Sequence, residues 1–578
     1  MSWLKLRKEL VMAKAWGIKA GGRSDFVTLE QIQKTLLRQR GVKKNQMDDY
    51  FSPQVDTGLH DPYLMADMDK AISRISSAIQ KKERILVYGD YDVDGVCSTA
   101  ILMSALRDLG AKAVPFLPHR TDNGYGLDGN VLRELLAQYD LLITVDCGIS
   151  NSAEIDWLNS RGKDSIVTDH HLVPEVLPKA VAVLHPNHPA GTYPFQFLCG
   201  AGVSWKLAMA LLANKRADRG SNQEQIFNLL GLACLGTVAD MVPLIGENRV
   251  IVKYGLRSLM ASNNSGLKAL VAAAGLGRNS ISAEMIAYRI APLINAAGRI
   301  GHPQTALDLL LADTEQAAGE EIAKLKQLNQ ERRRIGQAVQ SQAELAGAEG
   351  GNIIVAADTS WPAGVLGLVA GRLCDKYQRP AVVIGSAGKV AIGSARAPLG
   401  INIVEVLKPL GSLLTRFGGH EAAAGFTLPI ENIAQVKEAL HASTVNWESQ
   451  GEKVKGWADI VLQPQLVGWD LIDMLEQMEP YGQGNERPVF MMRNIYLGHW
   501  GRVGKNKEHA KLIFNVNDEL LEGIAFGLAE EIENCCITDQ GMVDVLGCLE
   551  VNEYNGRRSL QMNIKDIGRA GEVAIIQE

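Results

Sequence analysis

Cys-x-x-Cys pairs are absent from this chain of 578 residues. Its eight cysteines are scattered along the sequence, so the spacing used by structural zinc sites and disulfide frameworks is missing. We therefore expect reduced cysteines within apolar segments of the core. Repeats and low-complexity tracts are absent too, and 46% hydrophobic with 21% charged residues is an ordinary globular composition. The length predicts about three to four domains.

Long hydrophobic runs are missing as well. No uncharged apolar span reaches the roughly 18 residues that a membrane helix needs, and the first 17 residues carry charges between their apolar positions. A secretory signal has an uninterrupted apolar stretch instead. We therefore expect no membrane segment and a cytoplasmic location.

An excess of positive charge, which many DNA-binding proteins have, is also missing. The chain has 59 Lys and Arg against 65 Asp and Glu, giving a net charge of −6. A nucleic acid meets local charge, however, and the segment 497–515 is basic with aromatic residues between the basic ones, which is typical of single-strand grooves. The alternative is an exposed loop with aromatic core residues. The predicted DNA contacts are Trp500, Arg502, Lys505, Lys507, Lys511 and Phe514.

The stretch "GDYDVDG" places three acids, Asp90, Asp92 and Asp94, at alternate positions. Three negative charges this close together repel one another, and a cation or a proton is needed to offset that repulsion. The EF-hand calcium loop matches the first six positions but needs Glu at the twelfth, where Ile101 stands. A P-loop is excluded because no Gly-Lys-Ser/Thr follows. A solvated acidic turn remains the plain structural alternative.

Two more predicted strands end in residues that bind metals. "DLLITVDCG" ends in Asp146, and "SIVTDHH" ends in Asp169, His170 and His171, as "RILVYGD" leads into the first acids. Ligands bind at the carboxyl ends of strands in open α/β sheets. Carboxylates with imidazole suit Mg²⁺ or Mn²⁺ better than zinc. The sequence therefore predicts a site for such ions.

These motifs resemble the DHH phosphoesterase superfamily. Further motifs follow in the order seen in its single-strand-specific DNA exonucleases, and the resemblance runs from about residue 50 to the C-terminus. They are "GTVADMVPL" with Asp240, "INAAGRIGHP" with Asn295 and Arg299, "GSARAP" with Ser394 and Arg396, and "FGGHEAAAGF" with Gly418, Gly419 and His420.

The resemblance implies a role for each acid and histidine. One ion would be held by Asp92 and Asp146, and a second by Asp94, Asp146, His170 and Asp240, with Asp146 as the bridge. Asp90 and Asp169 would orient these ligands, and His171 would lie near the scissile phosphate; these three form the predicted catalytic group.

The resemblance also implies residues that bind the substrate. Gly418 and Gly419 would admit a phosphate close to the backbone, and His420 would donate a hydrogen bond to it. Asn295 and Arg299 belong to the same predicted site. A pocket for the 5′-phosphate would be formed by Arg120, in "PHRTDNGYG", with Ser394 and Arg396. The alternatives are a surface position for Arg120 and a salt bridge for Arg396.

The fold class implied is α/β: a DHH catalytic domain and a DHHA1 domain joined by a long helix, followed by a β-rich OB-fold domain. The predicted boundaries are 1–50 for an N-terminal extension, 51–310 for the catalytic domain, 311–349 for the connecting helix, 350–448 for the DHHA1 domain and 449–578 for the OB-like DNA-binding domain. The helix prediction rests on an Ala/Gln/Glu/Arg-rich stretch without proline.

The function implied is a 5′ to 3′ exonuclease specific for single-stranded DNA. It would use two Mn²⁺ or Mg²⁺ ions, release 5′-mononucleotides and serve recombination and mismatch repair. The expected partners are single-stranded DNA and a single-stranded-DNA-binding protein, and we expect a monomer. The alternatives are a DHH enzyme for small substrates, which typically lacks the C-terminal β-rich region, and a non-catalytic DNA-binding scaffold.

Overall fold

The computed structural model describes residues 14–22, 26–120, 124, 126–214, 219–277, 281–347, 351–388, 390–398, 400–443, 454–517, 519–554 and 557–578. The chain forms two compact units: one is Asp56–Glu448, and the other combines Met1–Val55 with Ser449–Glu578. All eight cysteines are free, and six of them are buried. In the described parts of the chain, no helix has the length and apolar character needed to cross a membrane.

The first lobe of the Asp56–Glu448 unit is built on a parallel five-stranded sheet. In spatial order its strands are Lys112–Phe116, Arg84–Tyr88, Leu141–Val145, Asp164–Thr168 and Ala182–Leu184. Leu141–Val145 is buried along its whole length, which explains why four of the five residues in "LLITV" are apolar. Parallel pairing brings the carboxyl ends of the central strands to one edge, as the sequence predicts.

Helices cover this sheet and form the rest of the lobe. The helices are Met68–Gln80, Val93–Asp108, Gly129–Leu135, Ser152–Ser160, Gly200–Ala213, Arg219–Ala239, Gly246–Ala261, Ser265–Ala273, Ala283–Met285, Ala291–Ile300 and Gln304–Leu310, and a π-helical turn lies at Ile286–Ile290.

A long helix, Glu315–Gly347, joins the first lobe to the second and confirms the predicted connecting helix. Its first half contributes Ile322 and Leu325 to the core of the first lobe. Its second half contributes Val339 and Ala343 to the core of the second lobe. One face of the helix is therefore shared between two cores.

The second lobe has a mixed five-stranded sheet. Its strands in spatial order are Arg416–His420, Ala423–Pro429, Val390–Arg396, Ala381–Ala387 and Ile354–Pro362. Its helices are Ala363–Tyr377, Ile403–Leu407 and Ile433–Ser443. The strand Arg416–His420 lies at the edge of this sheet.

The other unit is a β-barrel. In spatial order its strands are Ile460–Val461, Phe490–Val503, His509–Val516, Glu519–Ala525, Arg557–Arg569 and Gly541–Tyr554, and its helices in this part of the chain are Trp469–Gln477 and Ala529–Asn534. The strands Phe490–Val503 and Gly541–Tyr554 also pair with each other, which closes the sheet. The predicted fold class, with an OB-type barrel at the C-terminal end, is confirmed.

The N-terminal segment, treated above as an extension, folds with this barrel unit in its described part. The strand Ala15–Ile18 lies between Val454–Ala458 and Ala574–Gln577, parallel to both. Trp16 is buried, and its indole nitrogen donates to Asp566 at 2.8 Å. The helices that follow in this unit are Leu29–Gln39 and Met47–Phe51, and Ile32 and Leu36 pack into the barrel core. The short helix Val55–Gly58 falls at the boundary between the two units in the sequence.

Candidate active site

The acidic loop lies between the strand Arg84–Tyr88 and the helix Val93–Asp108. Asp92 caps that helix, because its Oδ1 accepts from the backbone nitrogens of Asp94 at 2.9 Å and Gly95 at 3.1 Å. The carboxylate of Asp94 accepts from the backbone nitrogens of Gly200 at 2.7 Å and Ala201 at 2.8 Å. The start of a second helix, Gly200–Ala213, thus fixes Asp94.

Asp146 is the first residue after the strand Leu141–Val145. It has a left-handed backbone with φ of 60° and is only 2% exposed. Its Oδ1 has no hydrogen-bond partner among the described residues, and it lies 3.2 Å from Nε2 of His170. Strained backbone and an unsatisfied buried oxygen are features of functional sites.

His170 brings the acids of three segments together. Its Nε2 lies 3.7 Å from Oδ2 of Asp94 and 3.7 Å from Oδ2 of Asp240, in addition to its contact with Asp146. This nitrogen also has no hydrogen-bond partner in the described structure. Burial lowers the pKa of His170, which favours the neutral imidazole that binds metals.

His171 faces a different partner. Its Nδ1 lies 2.8 Å from Oδ1 of the fully buried Asp169, which also accepts from the backbone nitrogens of His170, His171 and Ile149. Burial opposes charge on this imidazole, but the hydrogen bond and the charge of Asp169 prevail and raise the pKa of His171 to about 9. Asp169 therefore favours the protonated form of His171.

Asp90 completes the cluster. Ligand atoms of Asp90, Asp92 and Asp146 lie within 4.8 Å of one another, and so do those of Asp94, His170 and Asp240 and those of Asp146, His170 and His171. Oδ1 of Asp90 is buried and has no hydrogen-bond partner among the described residues. Asp90 therefore offers an oxygen within 4.8 Å of Asp146, as Asp92 does.

The surroundings of these acids disfavour their charged forms. Burial and the neighbouring carboxylates raise the pKa values of Asp90, Asp92 and Asp146, and raise that of Asp240 to about 8. Three of the buried polar atoms here lack a partner within the described ranges. Oxygen-rich donors with one neutral imidazole match the preferences of Mg²⁺ and Mn²⁺, so these residues fit divalent ions.

Gly200 is a site residue that the sequence analysis missed. Besides its hydrogen bond to Asp94, an added Cβ at this position would lie 2.5 Å from Oδ1 of Asp146. Only glycine lets the helix start this close to both acids. The signal in the sequence is "CGAG", a run of small residues where a helix begins. Nothing in the local sequence connects this run to acids so far away along the chain.

Two of the predicted substrate-binding arginines, Arg120 and Arg299, come from the first lobe. The guanidinium carbon of Arg120 lies 4.1 Å from the ring centre of Tyr91, in the acidic loop, and the buried Nε of Arg120 has no partner among the described residues. Nη1 of Arg299 donates to the carbonyl oxygen of Gly364, in the second lobe, at 3.2 Å. An added Cβ at Gly298 would overlap the Tyr91 carbonyl, so glycine allows this helix to reach the acidic loop.

Ser394 and Arg396 lie on the strand Val390–Arg396. Nη1 of Arg396 donates to Oγ of Ser394 at 3.3 Å and to the carbonyl oxygen of Ala395 at 2.9 Å. The predicted alternative, a salt bridge for Arg396, is absent from the described residues. Arg396 and Arg299 are therefore half-buried cations whose hydrogen-bond acceptors in the described structure are neutral.

The remaining predicted substrate-binding residues are exposed or half-buried. Gly418, Gly419 and His420 are exposed on the edge strand of the second lobe, and Asn295 is half-buried on the helix that carries Arg299. Their roles stay predictions.

The predicted DNA contacts on the barrel differ in their exposure and in their partners. Lys505 and Lys507 are exposed in the turn after Phe490–Val503. Arg502 makes two 2.8 Å bonds to Glu533, and Lys511 pairs with Glu522 at 2.9 Å. Trp500 is half-buried, with its indole nitrogen bonded to the carbonyl of Ile537.

Phe514 corrects one of these predictions. It is 0% exposed and belongs to the barrel core, so it has no free face on which a base could stack. The physical reason is the alternation along His509–Val516, which turns Ala510, Leu512, Phe514 and Val516 inward.

Three family models match the chain. The DHH family N-terminal domain matches residues 84–237, the DHHA1 domain matches 350–445, and the RecJ OB domain matches 458–566. Together with the cluster of acids and histidines, these matches define a DHH phosphoesterase.

Relatives and solved structures narrow this class. The chain is 34% identical over 539 residues to the single-stranded-DNA-specific exonuclease RecJ of Bacillus subtilis, covering 92% of this chain and 67% of that protein. It is 32% identical over 569 residues to RecJ of Dickeya dadantii, covering 93% and 96%. The chain belongs to the RecJ family of single-stranded-DNA-specific exonucleases.

The fold agrees with this assignment. The crystal structure of RecJ from Thermus thermophilus in complex with Mn²⁺ matches with a TM-score of 0.81 and 29% identity, covering 97% of this chain and 80% of that one. The structure of the same protein with Mg²⁺ matches with a TM-score of 0.74 and 27% identity, covering 97% and 79%.

Proposed function

We propose that this protein removes 5′-mononucleotides from the 5′ end of single-stranded DNA, using two divalent ions, Mn²⁺ or Mg²⁺. The observation that carries the proposal is the meeting of Asp94, Asp146, Asp240 and His170, a cluster with the chemistry of a hard-metal site in which buried atoms of Asp146 and His170 lack partners among the described residues. When bound, two such ions activate a water and offset charge on the phosphate in an in-line displacement.

In this reaction the residues of the protein would hold the two ions in place and neutralise their charge. Asp92 and Asp146 would hold one ion, and Asp94, Asp146, His170 and Asp240 the other. Asp94 is already oriented by the two backbone nitrogens that it binds. Asp90, which has an oxygen within 4.8 Å of Asp146, would orient or complete the first set.

His171 would contact the substrate rather than an ion. Asp169 favours its protonated form and fixes its ring through Nδ1. A protonated imidazole can donate a hydrogen bond to a phosphate oxygen, and this bond strengthens as negative charge grows in the transition state.

The direction of hydrolysis would follow from the arginines. A terminal phosphate carries one more ionisable oxygen than an internal one, and Arg120, Arg396 and Ser394 offer two guanidinium forks and a hydroxyl to it. Gly418, Gly419, His420, Asn295 and Arg299 would bind the strand next to this pocket. The cleft between the lobes would admit one strand and exclude a duplex.

The cellular setting is part of the same proposal. A nuclease with this substrate suits recombination and mismatch repair in the cytoplasm, where a single-stranded-DNA-binding protein covers the same strands. We propose that the protein acts as a monomer.

Strands labelled at either end test the proposal. We expect release of mononucleotides from the 5′ end of single-stranded DNA with Mn²⁺ or Mg²⁺, none with EDTA, and little from a blunt duplex. Release from the 3′ end would contradict the direction, and hydrolysis of dinucleotides alone would indicate a small-substrate phosphodiesterase. Binding without hydrolysis would indicate a scaffold.

A further inference from the structure

Tyr91 stands in the acidic loop between Asp90 and Asp92 and is half-buried. The guanidinium carbon of Arg120 lies over its ring, 4.1 Å from the ring centre. The next shortest distance of this kind between an arginine and a ring, among the described residues, is 4.7 Å. Arg120 is therefore stacked on the face of the Tyr91 ring, close to the distance of van der Waals contact.

Stacking holds a guanidinium without using its hydrogen-bond donors. The N–H groups of arginine point outward in the plane of the guanidinium, whereas the ring of Tyr91 contacts its face. The buried Nε of Arg120 has no hydrogen-bond partner among the described residues. A buried donor without an acceptor is unfavourable. The free edge of Arg120 is therefore suited to an acceptor that the substrate brings.

The backbone beneath the ring is fixed from two sides. An added Cβ at Gly298, in the helix Ala291–Ile300, would overlap the carbonyl oxygen of Tyr91. An added Cβ at Gly95, in the helix that follows the acidic loop, would lie 2.6 Å from the carbonyl oxygen of Asp90. Because both glycines allow backbone to pack directly against the loop, the ring of Tyr91 is a fixed support for what stacks on it.

Arg120 has less support from its own segment. It follows the strand Lys112–Phe116, at the edge of the first sheet, and belongs to no helix or strand. A long side chain in such a loop has many rotamers open to it. The ring of Tyr91 selects one of them before the substrate arrives, which lowers the cost of ordering the arginine on binding.

We propose that Tyr91 is a positioning residue, whose ring holds the guanidinium of Arg120 so that its free donors bind the 5′-terminal phosphate of the strand. The inference rests on the 5′-phosphate pocket of the proposed function. It gives the acidic loop a second role, because the segment that offers Asp90 and Asp92 to the ions also supports the arginine that binds the terminal phosphate. Release of one nucleotide at a time requires a fixed distance between these two points, and one loop provides it.

Substitution of Tyr91 by Leu tests this role, because it removes the ring and keeps an apolar side chain. The KM for a 5′-phosphorylated strand should rise about two- to thirtyfold, the equivalent of one cation–π contact, with a smaller change in kcat and no comparable rise for a 5′-hydroxyl strand. The Kd of the same two strands in EDTA, from fluorescence anisotropy with a label at the 3′ end, should show the same difference.

Two variants serve as controls. Tyr91→Phe keeps the ring face and should restore most of the affinity for the 5′-phosphorylated strand. Trp157→Leu removes another half-buried ring of the first lobe, which lies 5.6 Å from the guanidinium carbon of Arg133, and should leave the preference unchanged. A loss in Tyr91→Phe as large as in Tyr91→Leu would overturn the role of the ring.

A double-mutant cycle with Arg120→Ala separates positioning from damage to the metal site. If Tyr91 acts through Arg120, Tyr91→Leu should lower the preference for a 5′-phosphate in the wild-type background and change it little in the Arg120→Ala background. Additive losses would overturn the assignment. An equal loss on both strands, or a large rise in the Mn²⁺ concentration needed for half-maximal activity, would overturn it as well.

The proposed pocket and the role of Tyr91 can fail separately. If Arg120→Ala abolishes the preference for a 5′-phosphate while Tyr91→Leu keeps it, the pocket stands and Tyr91 does not position it. If the wild-type protein shows no preference between the two strands, the pocket itself fails and the role of Tyr91 fails with it.

Discussion

Two groups of buried charges in the first lobe differ in how their polar atoms are satisfied. Lys206 and Glu247 are both fully buried and form an ion pair. Glu247 also accepts from the hydroxyl of Tyr193 at 2.6 Å and from the backbone nitrogen of His60 at 2.9 Å, and Lys206 donates to the carbonyl of His60 at 2.6 Å. This network is complete within the chain.

The acid cluster is the opposite case. Asp90, Asp146 and His170 each keep a buried atom without a partner among the described residues. Burial of charge is thus common to both groups and does not by itself indicate function. The missing partner is what distinguishes a site for a ligand from a network that holds the fold together.

The largest expected effect comes from Asp146→Asn. Asn tolerates the left-handed backbone of this position, but it removes the charge that both ions would share. We expect hydrolysis to fall by more than the roughly 10- to 100-fold typical of an outer-shell partner. Because repulsion among the acids decreases, unfolding of the metal-free protein should occur at equal or higher denaturant. Near-normal turnover at saturating Mn²⁺ would contradict the bridging role.

Glu247→Ala, in the complete network, should lower the stability of the protein and leave its activity unchanged. Leaving Lys206 buried and unpaired is expected to cost about 3 to 5 kcal/mol of unfolding free energy, measured by denaturant titration of the metal-free protein. Activity per folded molecule should stay normal. The double variant Lys206→Met with Glu247→Leu is the control and should recover much of the loss; if it does not, the network is more than a satisfied pair.

Arg396→Ala should remove most of the preference for a 5′-phosphorylated strand. Each charge-assisted bond is worth about 1.5 to 3 kcal/mol, so the ratio of kcat/KM on 5′-phosphate and 5′-hydroxyl strands should fall about ten- to a hundredfold. Arg120→Ala is the parallel variant. An unchanged ratio in both would mean that the path of the strand, rather than this pocket, sets the direction.

The last expected effect concerns pH. Asp240 has a pKa of about 8 in the folded protein, above its usual value, so the folded state holds a proton that the unfolded state releases between about pH 4 and 8. Stability of the metal-free protein should therefore fall as pH rises through this window, by at most about 1.4 kcal/mol per pH unit for this group. Denaturant titrations in EDTA should show a flatter dependence for Asp240→Asn. An equal slope in both proteins would exclude Asp240 as the cause.

Much of the acid cluster could be predicted because its residues follow apolar strands directly. Asp90, Asp146 and Asp169 are each one or two residues beyond a buried strand, and parallel pairing carries such ends to one edge. Gly200 could not be found in this way. Its contact with Asp94 spans 106 residues and depends on where a helix begins in space.

For Phe514 the opposite holds: the sequence contained the signal for a buried position, but the neighbouring basic residues were given more weight. Apolar residues at 510, 512, 514 and 516 alternate with Lys511 and Asn515, which is the pattern of a half-buried strand. Its nearness to basic residues in the sequence favoured a stacking role. The period of two was the better guide, because adjacent residues of a strand face opposite sides.

The strand Ala15–Ile18 has a consequence for synthesis of the protein. Trp16 and the acid that it binds, Asp566, are separated by 550 residues. At about 5 to 20 residues per second, a ribosome needs roughly half a minute to two minutes to make that interval. The first strand of the barrel unit therefore emerges early and waits without its neighbours while the whole Asp56–Glu448 unit is translated and free to fold. The nascent chain carries an unpaired apolar strand for that time, and exposed strands of this kind are prone to aggregate.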